Sequence, residues 1–352
     1  MGLREQLTGW NPRLWAGWRP NGVGQQKPNH YGSMAKAAWA NRRHPAYAWR
    51  VLTRGACDGC ALGVTGLHDW TIDGIHLCTT RLDLMAVNTA DPVADDALAD
   101  VAALRQRSGA ELRSLGRLAH PMRRHRGEAG FHRVGWDEAL DALAGRIRTG
   151  GPDRTALYLT SRGLTNEVYY AAGKAARAMG IANIDSAARV CHAPSTVGLK
   201  DTIGVGATTC SYRDVIDDAG LVVLWGSNPA NNQPVFMKYL YLARRRGCRV
   251  VVVNPILEPG LDRYWVPSNV ESALFGTRMC DLHVPVRPGG DLAFATAALA
   301  RVVARGGVDH AFVAAHTEGW PETEAALADQ DADGLARSAG VEPAVVEAFV
   351  DE

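Results

Sequence analysis

The chain has 352 residues, with 38 basic against 37 acidic side chains and a formal net charge of +1. That balance gives no electrostatic case for a nucleic-acid partner, and 47% hydrophobic with 21% charged residues is a globular composition, not a disordered one. At about 150 residues per domain the length suggests two or three domains, and no apolar run approaches the ~20 residues that span a bilayer.

The opening stretch "MGLREQLTGWNPRLW" has no apolar core of a secretory signal. The twin arginines of "NRRHPAYAW" (41–49) are not followed by an apolar segment. A cytoplasmic location is therefore expected. Seven cysteines, at 57, 60, 78, 191, 210, 248 and 280, are an odd number and argue against a disulfide framework.

Residues 1–56 are rich in Trp, Arg, Gly and Pro with little periodicity, and read as an irregular arm. A cysteine-bearing segment follows at 57–88. The acidic run 91–115 reads as a helix, with Leu98, Val101, Ala102 and Leu104 on one face. The arginine runs "MRRHR" (122–126) and "RRR" (244–246) read as solvated faces. From residue 133 the pattern becomes regular. "VGWDEALDALAGRIR" predicts a helix opened by a Trp-Asp cap, with Leu140, Leu143, Ala144 and Ile147 as its apolar stripe. "TALYLT" (155–160) is a short strand, and "TNEVYYAAGKAARAMG" is a helix that starts at a Thr or Asn cap and stops at Gly180. "GLVVLWG" (220–226) and "CRVVVVNP" (248–255) are strands flanking the helix "PVFMKYLYLARRRG". "GGDLAFATAALARVVARGG" is a helix capped by Asp291. Cys248 precedes the run "RVVVV" and reads as core, and Cys210 and Cys280 are expected to share that role. Apolar strands alternating with helices predict an α/β protein with doubly wound parallel sheets covered on both faces.

In such sheets ligands gather beyond the C-terminal ends of the strands. Two ends here are polar, "LWGSNP" (224–229) and "VVVNP" (251–255). Gly226 lets a ligand approach the backbone, while Ser227, Asn228 and Asn254 offer short hydrogen-bonding groups suited to phosphate or a nucleotide base. Ordinary turns explain the same residues equally well, since Asn-Pro is a common turn initiator. "GVGATT" (204–209) has two glycines of the dinucleotide fingerprint and no strand before it, which disfavours a simple nicotinamide site.

"CDGC" (57–60) holds Cys57 and Cys60 close enough for one metal or cluster, and Cys78 lies 18 residues further on. Three thiolates at this spacing suggest an iron–sulfur cluster. Zinc completed by His68 or His76 competes, as do simple buried thiols. A thioredoxin-like redox pair lacks its βαβ surroundings. In "ARVCHAPSTVGL" (188–199) Cys191 stands beside His192 ahead of a Pro-Ser-Thr helix start. A thiolate is a soft metal ligand and a neighbouring imidazole can take a proton; a small residue before a helix, next to a surface histidine, is the bland alternative.

"LGRLAHPMRR" (115–124) followed by "FHRVGWDEALDALAGRI" (131–147) resembles the molybdopterin oxidoreductases. "LTSRGLTNEVYY", "CHAPSTVGL", "WGSNPANNQP", "VNPILEPGLDR" and "VPVRPGGDLA" follow in that family's order, so the resemblance runs from about residue 50 to the end. The YdeP-like branch of the formate-dehydrogenase group is the most similar. The resemblance implies that Cys191 ligates molybdenum and that His192 transfers a proton. It places Gly226, Ser227, Asn228, Asn254, Arg287, Gly289 and Asp291 against a molybdopterin guanine dinucleotide. Cys57, Cys60 and Cys78 would bind an iron–sulfur cluster of the 4Fe-4S type, and Val64 stands about where the family has a fourth cysteine. The implied activity is a two-electron oxidation, formate first among substrates, with electrons leaving through the cluster to an unspecified acceptor.

By the same resemblance the chain corresponds to an N-terminal half. The implied domains are an arm and cluster domain at 1–115, the first portion of a discontinuous α/β domain at 116–186, and the dinucleotide-binding α/β domain at 187–352. The rest of the discontinuous domain, a C-terminal cofactor domain and a metal-facing arginine would lie on a separately encoded second half. A non-catalytic remnant or partner-binding fragment is the alternative.

Overall fold

The computed structural model describes residues 21–22, 25–26, 31–54, 74–75, 78–161 and 163–352. Packing divides the chain into two compact units, residues 84–209 and residues 1–83 with 210–352.

In the 84–209 unit, the expected single helix over 91–115 is broken into a 3-10 turn at Asp95–Leu98 and short helices at Val101–Arg105 and Gly109–Ser114. The cause is local. The Asp100 carboxylate accepts from the Ala102 and Ala103 N–H groups, while Ser108 and Glu111 form a reciprocal capping box. Two helix starts this close together interrupt one another. Helix α1 (Trp136–Gly150) follows, with Gly135 at its N-cap and no side-chain cap, so the expected Trp-Asp cap is not formed. Asp137 and Glu138 instead sit in the first turn, where the helix dipole favours a negative charge.

Strand β1 (Ala156–Leu159), helix α2 (Asn166–Ala178) and strand β2 (Asn183–Ser186) make one βαβ unit. The Thr165 hydroxyl accepts from the Val168 N–H to open α2, and Gly180, at φ 74°, provides the left-handed step after it. β1 and β2 are parallel, with Ala156 opposite Asn183 and Leu159 opposite Ser186. This sheet departs from the expected two-sided cover. Only alternate residues of each strand are half-buried, Tyr158 is 65% exposed, and the α1 stripe leaves Leu140 and Leu143 in solvent. Helix α3 (Ala193–Ile203) has Pro194 in its first turn and ends at Gly204, φ 77°.

In the other unit, β3 (Leu221–Trp225), β4 (Arg249–Val253) and β5 (Leu282–Val284) form a parallel sheet in the order β5–β4–β3. Side chains alternate across it. On one face Leu224, Val250 and Val252 pack with Met237, Leu240 and Tyr241 of helix α4 (Phe236–Arg245). On the other, Val251, Val253 and Val284 pack with helix α5 (Asp291–Ala304), helix α6 (Ala332–Ala339) and helix α7 (Pro343–Asp351) through Phe294, Ala336 and Val346. Each fully buried valine contributes about 1.5–3 kcal/mol of transfer free energy. An α/β architecture is thus observed, and the central strand β4 is covered on both faces, while Leu221, Val223 and Trp225 of the outer strand β3 stay exposed.

Arg244 corrects the solvated reading of its run: it is buried, its guanidinium paired with Asp281 and donating to the Cys248 carbonyl at 3.1 Å. The last turn of α4 leads straight into β4, so a long side chain there reaches under the sheet. Cys248 and Cys280 are buried as expected, whereas Cys210 is exposed because it lies in the loop before the Ser211 cap. The expected irregular arm contains helices at Tyr31–Ala40 and Pro45–Arg54. Pro45 suits a first helical position, and the Asn41 side chain donates to the Ala37 and Leu82 carbonyls at 2.8 Å each.

Candidate cofactor-binding edge

The three parallel strands end on one edge of their sheet, and each end leads into a polar loop. After β3 comes Gly226, at φ 60°, whose N–H donates to the Val253 carbonyl at 2.9 Å. The left-handed turn swings the chain away from the strand and brings Ser227 and Asn228 to the edge. Asn228 occupies the N-cap of the short helix Pro229–Asn232, yet its side chain makes no capping bond. Its Oδ1 is buried and has no hydrogen-bond partner among the described residues. Such an acceptor costs about 1–3 kcal/mol unless a donor reaches it, which is what a ligand N–H or O–H provides.

After β4, the Asn254 N–H donates to the Val284 carbonyl at 3.1 Å and its side-chain amide donates to the Ile256 carbonyl at 3.1 Å. The Asn254 carbonyl lies 2.8 Å from Nε2 of His283, the middle residue of β5. After β5, the Arg287 N–H donates to the Ala339 carbonyl at 2.9 Å while its side chain is exposed. Gly289 turns at φ 80°. Gly290 passes so close to α6 that a Cβ there would lie 2.8 Å from the Ala339 oxygen. Asp291 is the first residue of α5, and Gly290, not Asp291, holds the N-cap. The Asp291 carboxylate, through Oδ1, accepts instead from the Trp225 indole Nε1 at 2.7 Å.

Seven residues singled out from sequence therefore converge on one edge: Gly226, Ser227, Asn228, Asn254, Arg287, Gly289 and Asp291. Left-handed glycines, short amides, one exposed guanidinium and one orphaned acceptor fit a phosphate-bearing nucleotide with a polar base. Trp225 and His283 belong to the same edge and are not evident in the sequence pattern. Each acts through a contact distant in sequence, and a tryptophan directly before a strand-end glycine is the only local hint.

Cys191 and His192 belong to the 84–209 unit. β2 leads into the turn Ala188–Cys191, so the pair stands just past a strand C-terminus. His192, at φ −128°, is the joint between that turn and α3. Both residues are exposed. The loop is tied back to the strand by Asp185, which accepts from the Ser186 N–H at 2.8 Å and from Arg189 Nε at 3.0 Å. The Ser186 N–H, then Arg189, hold this carboxyl below the usual aspartate range. The exposed Cys191 thiol contrasts with the buried ones. Burial, aided by Asp281, pushes Cys280 up to about 11, and burial also raises Cys248.

Cys78 is half-buried beside Ile216, Val235 and Tyr239. Cys57, Cys60, Val64, His68 and His76 lie outside the described residues. The "GVGATT" stretch follows helix α3, not a strand, and Gly204 serves as the helix stop.

The family model described as molybdopterin oxidoreductase matches residues 117–310. Formate dehydrogenase H of Escherichia coli (strain K12) is 34% identical over 211 residues, 58% of this chain and 27% of that protein. The F420-dependent formate dehydrogenase 2 subunit alpha of Methanococcus maripaludis is 29% identical over 65% of this chain and 31% of its own length. Protein YdeP of Escherichia coli (strain K12) is 27% identical over 66% and 32%. Among solved structures, acetylene hydratase from Pelobacter acetylenicus aligns with a TM-score of 0.47 and 22% identity over 66% of this chain and 30% of that one. The chain thus spans about a third or less of the length of these relatives.

Proposed function

From membership of the molybdopterin oxidoreductase family, to which this chain belongs, we propose that it is the nucleotide-binding and metal-ligating portion of a molybdenum oxidoreductase acting on formate. When bound, molybdenum bis(molybdopterin guanine dinucleotide) supplies two-electron redox chemistry that no side chain here provides. The chain's own residues bind and orient. Gly226 and Gly289 open the backbone to the nucleotide, Arg287 meets its phosphates, and the Asn228 acceptor, Ser227, Asn254 and Asp291 meet its polar groups. Cys191, a soft thiolate donor on an exposed turn, ligates the metal. His192 accepts the substrate proton. Cys57, Cys60 and Cys78 would hold an iron–sulfur cluster, which would supply one-electron transfer.

One observation carries this reading: seven residues from three strand ends converge where Asn228 Oδ1 is buried without a partner among the described residues. Within it, the 1–115, 116–186 and 187–352 division, the cytoplasmic location and a separately encoded remainder of the enzyme are further expectations. The names of relatives that are formate dehydrogenases favour formate. The exposed Tyr158, Leu140 and Leu143 favour a second reading for the chain by itself, a non-catalytic fragment that binds part of the cofactor or a partner.

Anaerobic purification with molybdenum and guanine nucleotide quantified by mass spectrometry tests the proposal. Bound nucleotide is expected, reduced severalfold by Arg287→Ala, with molybdenum lost on Cys191→Ala while iron is kept. Protein free of both, expressed alone and beside any downstream half, overturns it.

A further inference from the structure

Trp225 ends β3 and immediately precedes Gly226. Val222 and Leu224 point into the α4 face of the sheet, so Trp225 projects on the α5 face. There its ring centroid lies 5.6 Å from that of Phe294 and 6.3 Å from that of Phe349, which fixes the indole plane. It is nevertheless 38% exposed, because it stands at the strand end among the candidate binding residues. β3 and β5 flank β4, and α5 follows β5. The 2.7 Å bond from Trp225 Nε1 to Asp291 Oδ1 therefore ties the end of β3 to the start of the helix that follows β5.

An aspartate at the start of a helix has a local alternative, turning back onto the free N–H groups of its own first turn. Asp291 lies one residue past the Gly290 N-cap, and its carboxylate accepts from the Trp225 indole instead. The indole holds the carboxylate and occupies one of its oxygens. Oδ2 remains as an anionic acceptor of fixed direction. Such an oxygen repels phosphate and selects N–H donors, so it complements the exposed Arg287, which attracts phosphate.

We infer that Trp225 is a positioning residue that aims the free oxygen of Asp291 at the N–H edge of a guanine base. The inference rests on the nucleotide-binding reading above and deepens it. Because Trp225 acts through Asp291, its loss matters only while Asp291 is present. A ring that merely stacked on the base, or merely propped the fold, would matter in either background.

Isothermal titration of the chain with GDP, with CDP as the competing probe, reads this directly, and thermal melts confirm that each variant is folded. The expected result is roughly tenfold weaker GDP binding for Trp225→Phe, which keeps the ring and removes the charge-assisted donor. CDP binding should change less. In the Asp291→Ala background Trp225→Phe should have no further effect, and Trp225→His, which restores an N–H donor, should recover part of the affinity where Asp291 is intact. Unchanged GDP affinity in Trp225→Phe, or an equal loss in both backgrounds, overturns the positioning role alone. Folded wild-type protein that binds neither GDP nor CDP overturns the nucleotide-binding reading and this inference with it.

Discussion

The chain builds two parallel sheets and buries the central strand of one of them. In the three-stranded sheet the four consecutive valines of β4 are at most 1% exposed. In the two-stranded sheet each strand alternates exposed with half-buried residues. β4 lies between two strands and between two helix layers, whereas β1 and β2 have one neighbour each. Strand composition makes burial possible, and cover makes it happen. An apolar strand such as "TALYLT" announces what it needs, not what it has.

Core substitutions should separate the two sheets most strongly. Phe294→Ala, beneath the three-stranded sheet, should cost about 3–5 kcal/mol, read from the urea unfolding midpoint. Leu143→Ala on the exposed α1 stripe should stay within about 0.5 kcal/mol. A loss for Leu143→Ala approaching that of Phe294→Ala would mean that the α1 face is covered in solution.

Thiol accessibility sharpens the contrast. Cys191 and Cys210 are exposed, while Cys248 and Cys280 are buried with their thiols driven above the ordinary range. At pH 8 iodoacetamide should modify Cys191 and Cys210 within minutes and leave Cys248 and Cys280 intact until urea is added, as scored by peptide mass spectrometry. Early modification of Cys280 would show that the three-stranded sheet opens without global unfolding.

The smallest effect concerns pH. The Asp185 carboxyl is lowered in the folded chain by the Ser186 N–H and by Arg189. Its contribution is therefore complete above the ordinary aspartate pKa of about 3.9 and is lost as pH falls through the lower folded value. Acid melts from pH 5 to pH 2 should show Asp185→Asn slightly less stable than wild type at pH 5 and converging with it at the acid end. Divergence at low pH would reverse the sign of this account.

Much of the unit around the three-stranded sheet was legible in sequence. β3, β4, α4 and α5 announce themselves as apolar runs closed by Gly226, Asn254-Pro255, Gly247 or a Gly-Gly pair. β2 and β5 do not, because "NIDS" and "LHV" are too short and polar to show a pattern; only a neighbouring strand makes them strands. The 91–115 segment has helical periodicity, but Asp100 and Ser108 each hold backbone N–H groups that a continuous helix would need. Arg244 looked like surface because arginine usually is, and its partner Asp281 is 37 residues away. At the candidate site, strand-end position and residue type point to Gly226, Ser227, Asn228 and Asn254, adjacency points to Cys191 and His192, and only the family resemblance adds Arg287, Gly289 and Asp291. Trp225 escaped for the reason Arg244 did, since Asp291 lies 66 residues further along.

The close passage of Gly290 over α6 has a mechanical side. One carbonyl, that of Ala339, receives the Arg287 N–H and also sits where a Gly290 side chain would have to be. The loop that presents Arg287 and Gly289 and the C-terminus of α6 therefore share an anchor point, and the loop cannot shift without releasing it. The Arg287 amide becomes a natural gauge. Its deuterium uptake should slow whenever something settles into the loop and quicken when the anchor is loosened, which gives a read-out of occupancy that needs neither a metal nor a turnover.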